Sequence, residues 1–179
     1  MIAAAAMNTA MWSHPAVQKN WIELNSFQNV LTLSPQEGLL ACDRIGEGRM
    51  VGPELIELAI ASTFIQANKT GILKRDWEGL RLLVTAGPTQ EQLDPARLLS
   101  NLSSGRMGVL LAVAAKLRGA EVDLVHGPLN LPSAWLEGLQ THPIKSSDEM
   151  QRVLSSLQSS VDAIAMAAAI ADIRSGSQC

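Results

Sequence analysis

Between Ser100 and Gly108 the chain reads SNLSSGRMG, which sets the hydroxyls of Ser103 and Ser104 and the flexible Gly105 directly ahead of a long apolar run. A helix start leaves backbone N–H groups unpaired and carries a partial positive charge. Hydroxyls and amides gathered there supply what a phosphate needs, although they would serve equally to cap a helix and nothing more. Asn101 adds an amide just outside that start, a group that both donates and accepts hydrogen bonds. Upstream, VTAGPT ends an apolar run at Gly87, where a missing Cβ permits close backbone approach. Downstream, AMAAAIAD puts Asp172 just past another apolar run, where a carboxylate could contact a nucleotide or a metal, or simply stand in water. In the first third, GLLACDRIGEGRM sets Cys42 among Gly38, Asp43 and Gly46. That polar setting argues against the small buried core residue that a free cysteine usually is.

The composition limits what these residues can belong to. The chain has 179 residues, 47% hydrophobic and 17% charged, with a net charge of −3. It can bury a core, and it is long enough for one domain or two incomplete ones. With no basic run, a nucleic-acid surface driven by counterion release is not expected. No apolar stretch is long enough to span a bilayer, and the start lacks the basic region of a signal peptide. Cys42 and Cys179 lie too far apart in sequence for metal-ligand spacing, which points to free thiols in a reducing cytoplasm. Both ends read as core strands, so a piece of a longer chain is expected.

Two α/β segments must position the candidate residues. In the first, Pro15 opens a helix with Val17, Trp21 and Leu24 on one face. A strand covers Asn29 to Leu33. Residues 34–50 show too little periodicity for an element and read as a long loop. Pro53 opens a helix to about Gln66. The mixed polar stretch 67–79 marks a boundary. The second segment alternates strand and helix. LRLLVTA is a continuous apolar strand of a covered parallel sheet, followed by a long loop and then a helix from about Gly105 to Arg118. That helix carries Met107, Leu110, Leu111 and Ala114 at helical spacing and stops at Gly119. EVDLVHG and LQTHPIK are further strands. Ser146 and Glu149 have capping-box spacing before a helix with Met150, Val153, Leu154 and Leu157 on one face. AIAMAAAIA is a fourth, buried strand. Parallel strands with helical crossovers predict a doubly wound, Rossmann-like sheet with ligands at the strands' carboxyl ends. The three histidines have no carboxylate or cysteine at ligand spacing, so no catalytic role is assigned to them.

The motifs VTAGPT, LDPARLLSNLSSGRMG and AAAIADIR closely resemble the ligase half of the bifunctional coenzyme A enzymes, which join a phosphopantothenoylcysteine decarboxylase to a phosphopantothenate–cysteine ligase. AMNTAMWSHPAVQKN and GLLACDRIGEGRM resemble the end of the decarboxylase half, in the same order. The resemblance implies the C-terminal part of a flavoprotein-like domain at 1–68, a linker at 69–79 and an incomplete ligase domain at 80–179. It implies that Asn8, with Met7, holds a substrate carboxylate, and that Cys42 protonates the enethiolate left after carbon dioxide departs. Gly46, Gly48, Arg49 and Met50 match the hinge of the flap that carries the cysteine, with Arg49 and Met50 at the substrate. Asn101 would act on the acyl-cytidylate intermediate. Gly87, Ser103, Ser104, Gly105, Ala168, Ala169 and Asp172 would bind the nucleotide, with Arg174 in the same motif. Ala5 stands where the family has proline, and Ile173 where it has an aromatic residue.

The implied cofactors are FMN for decarboxylation, bound mostly by residues this chain does not contain, and CTP with Mg2+ for ligation. The implied substrates are phosphopantothenate, cysteine and phosphopantothenoylcysteine, handled by a homo-oligomer with no nucleic-acid or membrane partner. A non-catalytic regulatory or scaffold relative of the same fold is the alternative. A generic NAD-binding protein ranks below both, because G-x-G-x-x-G does not follow the first strand of the second segment.

Overall fold

The computed structural model describes residues 1–41, 44–70 and 75–172, and the chain divides into two compact units, Met1–Asp76 and Trp77–Cys179. In the first unit, β1 (Ile2–Ala4) runs parallel to β2 (Leu31–Leu33), with Ile2 opposite Leu31. Two helices connect them. The four-residue α1 (Thr9–Trp12) was not legible in the sequence, and it starts where Asn8 Oδ1 accepts the Met11 N–H at 2.8 Å. In α2 (Pro15–Ser26), His14 is the cap and its Nδ1 accepts the Ala16 N–H. Val17, Trp21 and Leu24 are half-buried, as their spacing predicts, but no residue of α2 is fully buried.

The expected loop at 34–50 is instead an antiparallel hairpin, β3 (Gln36–Leu39) against β4 (Ile45–Arg49). Glycines inside the strands hid the alternation. A Cβ on Gly38 would stand 2.9 Å from Arg49 Cδ, and one on Gly48, whose φ is +139°, would collide with the Met7 carbonyl. The Met7 N–H in turn donates to the Gly48 carbonyl at 2.9 Å, fastening β4 to the segment after β1. The glycines implied as a flap hinge are thus strand residues that allow close contact. The next helix, α3 (Pro53–Thr70), runs a turn past the expected end.

The second unit is built on four parallel strands. They are β5 (Arg81–Ala86), β8 (Glu121–His126), β9 (Gln140–Pro143) and β10 (Ala163–Met166), in the spatial order β10-β5-β8-β9. The chain steps outward from β5 through β8 to β9, then returns to the other side of β5 with β10, so the strand order reverses beside β5. The expected long loop after β5 contains a second hairpin, β6 (Gln90–Asp94) with β7 (Arg97–Ser100). Asp94 accepts the N–H groups of Ala96 and Arg97 and the Arg97 guanidinium, which closes its turn and holds its carboxyl below the usual range.

Helix α4 (Arg106–Leu117) packs on β5 and β8, and α5 (Ser147–Leu157) packs on the other face. In α5 the expected face is the observed one. Met150 joins Leu83, Val125 and Ile144 in the core, with Val153, Leu154 and Leu157 against them. Ser146 caps α5, but Glu149 reaches back to the Lys145 N–H rather than to that of Ser146. In α4 the expected face is wrong. Met107 and Leu111 are exposed, and the buried residues are Gly108, Val109, Ala112 and Ala115. Small residues face the sheet because the helix lies very close to it: a Cβ on Gly108 would stand 2.6 Å from both Ala86 Cβ and the Thr85 carbonyl oxygen. The fourth strand also departs from expectation. Only its first four residues form a continuous ladder, with a single bridge from Ala169 to Pro88 beyond them, and Ile164 and Met166 are exposed at the sheet edge.

The closeness of α4 sets the sign of a test. In an ordinary helix interior, Gly→Ala adds about 1 kcal/mol of stability. At Gly108 the added methyl overpacks the helix–sheet contact, and we expect Gly108→Ala to destabilise the chain by about 1–3 kcal/mol, read as a lower urea midpoint. A raised midpoint would show that α4 can move away at no cost.

Candidate functional site

At the carboxyl ends of β5 and β10, three segments distant in sequence are tied into one surface. Thr85 follows the apolar residues Leu82, Leu83 and Val84 of β5 and is fully buried, and its Oγ1 accepts the N–H groups of Ala167 and Ala168 at 3.0 and 3.1 Å. Thr89, also buried, accepts the Ala171 N–H at 2.9 Å. The backbone continues the connection: Ala169 N–H donates to the Gly87 carbonyl at 2.9 Å, and Thr89 N–H to the Ala169 carbonyl at 3.1 Å. The Asn101 side chain closes the third side, its Nδ2 donating to the Ile170 carbonyl at 3.1 Å. Gly87, Asn101, Ala168 and Ala169 therefore meet at one place. Asp172 follows, exposed to solvent.

The helix start sits against this surface. Gly105 has φ +76° and caps α4, and a Cβ there would stand 3.0 Å from the Gly87 nitrogen and would collide with Leu129. Gly87 itself has φ +74°. Both positions need glycine, for the left-handed backbone and for the contact between them. Ser103 Oγ accepts the Gly105 N–H at 3.3 Å, and Ser104 Oγ accepts the Arg106 N–H at 3.4 Å. These contacts are long for hydrogen bonds. An anion could replace them at little loss, and the remaining N–H groups of the first turn are the ones every helix leaves unpaired. Arg106 stands over the Trp135 ring at 5.6 Å.

The first unit gathers its own candidates. A cleft of about 550 Å³ is lined by Met7, Asn8, Arg49 and Met50, the four expected substrate-binding residues, together with Leu40 and Gly48. With its Oδ1 engaged in capping α1, Asn8 has its amide nitrogen left to offer a ligand. Arg49 is exposed and brings a guanidinium, the group best shaped to hold a carboxylate or phosphate. Cys42, Asp43 and Arg174 lie outside the described residues.

The comparisons with known proteins follow this division. A model described as the DNA/pantothenate metabolism flavoprotein C-terminal domain matches residues 77–178, and one described as Flavoprotein matches 1–64. The chain belongs to the DNA/pantothenate metabolism flavoprotein family. Among curated relatives, the coenzyme A biosynthesis bifunctional protein CoaBC of Bacillus subtilis strain 168 is 36% identical over 171 residues, covering 94% of this chain and 40% of that protein. A cysteine/cysteine sulfinic acid decarboxylase from an unknown prokaryotic organism is 41% identical over 170 residues, covering 94% and 46%. The chain thus spans less than half the length of these relatives. The crystal structure of the C-terminal domain of a CoaBC protein matches with a TM-score of 0.51 and 39% identity, over 56% of this chain and 50% of that one.

Two features of the second unit escaped the sequence reading, one at the candidate site and one away from it. Thr85 and Thr89 organise the site, and the signal was a hydroxyl residue near the end of a strand whose other residues after Arg81 are apolar. A histidine also has a carboxylate partner, one that no ligand spacing in the sequence announces. His142 Nε2 lies 2.8 Å from Asp123 Oδ1, and Arg81 Nε donates to Asp123 Oδ2 at 2.9 Å. The two residues of the pair are 19 apart in sequence, and only the pairing of β8 with β9 brings them together. The cluster links neighbouring strands and satisfies a carboxylate that is 2% exposed. Among the described residues, no group of three or more His, Cys, Asp or Glu could hold a metal ion.

The threonine connection can be tested by an isosteric change. Thr85→Val keeps the volume and orphans two backbone N–H groups, which at about 1–3 kcal/mol each should cost roughly 2–6 kcal/mol. Hydrogen exchange should speed up at Ala167 and Ala168 in particular. Unchanged exchange there would show that the hydroxyl does not hold the segment.

Proposed function

We propose that this chain carries parts of two activities in coenzyme A biosynthesis: CTP-dependent ligation of 4'-phosphopantothenate to cysteine in residues 80–179, and FMN-dependent decarboxylation of phosphopantothenoylcysteine in residues 1–68, with 69–79 between them. The observation that carries the reading is the junction of residues 85–89, 101–105 and 167–171 at the carboxyl ends of β5 and β10. In a doubly wound, Rossmann-like sheet this is the switch point where a nucleotide binds. The order β9-β8-β5-β10 matches strands 3-2-1-4 of such a sheet, with the reversal between the first and the fourth.

The residues fit a nucleoside triphosphate. Ser103, Ser104 and the first-turn N–H groups of α4 would bind a phosphate, Gly87 and Gly105 would let it approach the backbone, and Ala168 and Ala169 would form the wall beside it. The donor set does not build a protein cage for Mg2+. Magnesium would arrive with the phosphates, with Asp172 as its nearest candidate protein ligand, in keeping with an ion that usually retains several waters. Asn101 is the neutral group beside the anion. Its carbonyl oxygen is available to orient the amine of cysteine against an activated acyl group, and its neutrality avoids adding negative charge next to phosphate.

In the first unit, Arg49 and the Asn8 amide would hold the carboxylate of the cysteine conjugate, and Met7 and Met50 would cover its apolar part. FMN, when bound, would take up the two electrons whose removal makes loss of carbon dioxide feasible and return them to the product, so that the conversion is redox-neutral overall. Cys42 would return a proton to the resulting enethiolate. A thiol of pKa about 8.5 is a suitable donor for that step. The cleft fits a substrate carboxylate better than a flavin, since its described wall offers one guanidinium and one amide and no phosphate loop. Homo-oligomer formation belongs to the same reading.

The alternative is a relative that keeps the fold for regulation or scaffolding and has no ligand chemistry. Calorimetric titration of the chain with CTP and Mg2+ separates the two. We expect saturable binding that weakens about tenfold in a Ser103→Ala, Ser104→Ala double variant, a loss of about 1.4 kcal/mol. No binding by the parent, or equal binding by the variant, would count against the nucleotide site.

A further inference from the structure

The connection from β8 to β9 lies against the two glycines of the candidate site. Leu129, half-buried, occupies the side on which their missing Cβ atoms would stand. A Cβ on Gly87 would come within 3.1 Å of Leu129 Cδ2, and one on Gly105 would collide with it. Both glycines are buried. The segment that carries Leu129 is held at several points. The Gly127 N–H donates to the Ala86 carbonyl at 3.0 Å, and a Cβ on Gly127 would collide with the Pro88 carbonyl oxygen. Pro128 fixes the next φ. Further on, Trp135 is buried, with the guanidinium of Arg106 from the first turn of α4 over its ring.

A doubly wound sheet that binds a dinucleotide lays one nucleoside across the end of its second strand, where an acidic residue about 20 positions after the glycine-rich turn holds the ribose. Here β8 is the second strand, and Leu124 to Pro132 read LVHGPLNLP, with no carboxylate. Asp123, just upstream, is buried and engaged by His142 and Arg81. The β8 side of the helix start thus presents a leucine where a ribose would lie. The side left open is that of Asn101 and the segment after β10.

We infer that Leu129 determines specificity at the proposed nucleotide site. It closes the β8 side and confines the ligand to one nucleotide, whose sugar and base run from the start of α4 toward residues 167–171. The inference rests on the nucleotide reading and adds the direction of the ligand and the exclusion of dinucleotides. A branched aliphatic side chain excludes the second nucleoside in two ways. It fills the space, and it offers no hydrogen bond to the ribose hydroxyls, so their desolvation goes uncompensated.

The test compares CTP with Mg2+ and NAD, each titrated calorimetrically into the full chain, for the parent, Leu129→Ala and Leu129→Met. The parent should prefer CTP to NAD by about a hundredfold or more. Leu129→Ala clears the β8 side and should narrow that ratio about tenfold, through tighter NAD binding. Leu129→Met keeps the volume and should leave the ratio within about threefold. An unchanged ratio in Leu129→Ala would overturn the inference while CTP binding stands. No CTP binding by the parent would remove the nucleotide reading and this inference with it. A measurement on the parent needs no variant to fold: with CTP saturating, the Leu129 methyl groups should keep their nuclear Overhauser contacts to Gly87 and Gly105. Loss of those contacts would show a side chain that swings aside for the ligand, and would overturn the fixed wall.

Discussion

The second unit depends on how closely α4 can approach β5. Gly108 lies over Ala86 and the Thr85 carbonyl with no room for a methyl group, and Gly105 touches Gly87 backbone to backbone. Dispersion and burial favour the contact, but any Cβ at these positions would push the helix outward. The helix start would then move away from the end of β5. The small residues on the buried face of α4, Ala112 and Ala115, continue the same requirement along the helix. The dipole of α4 therefore ends at the strand's end, which is what makes an anion site there physically reasonable.

Buried hydroxyls do the complementary work. Thr85 and Thr89 are completely inaccessible, and each spends its oxygen on N–H groups of the segment after β10. A loop without regular structure would otherwise leave those donors unpaired, at a cost of about 1–3 kcal/mol each. The first unit uses a similar device, with the Met7 backbone paired to Gly48 through a position where only glycine fits. In both units a loop that faces the candidate ligand is fixed by hydrogen bonds from a neighbouring strand.

The sequence revealed the elements whose signals are local. Pro15, Pro53, Ser146 and Gly119 mark helix ends through their own backbone chemistry. The apolar runs of β5 and β8 stand out, and the Met150–Leu157 stripe reads correctly because large residues repeat at helical spacing. What stayed hidden was non-local. The glycines of β3 and β4 replace the side chains whose alternation would have announced a hairpin, and they are there because Arg49, Thr9 and Met7 come close. The face of α4 was misread because its large residues point to solvent and its small ones to the sheet. Of the candidate site, the motif residues were proposed from their spacing and resemblance, and the structure brings Gly87, Asn101 and Ala169 side by side. Thr85, Thr89 and the Asp123–His142 pair were missed because their partners lie 19 to 83 positions away.

The central claim is that one anion-binding surface forms where the end of β5, the start of α4 and the segment after β10 meet. The most direct measurement is an amide ¹H–¹⁵N spectrum of the labelled chain during titration with CTP and Mg2+. The account predicts saturating shifts for Gly87, Ser103 to Gly108 and Ala167 to Ala171, with the same dissociation constant for all three segments and none for the resonances of α5. Shifts confined to one segment, or scattered over the surface without saturation, would contradict it.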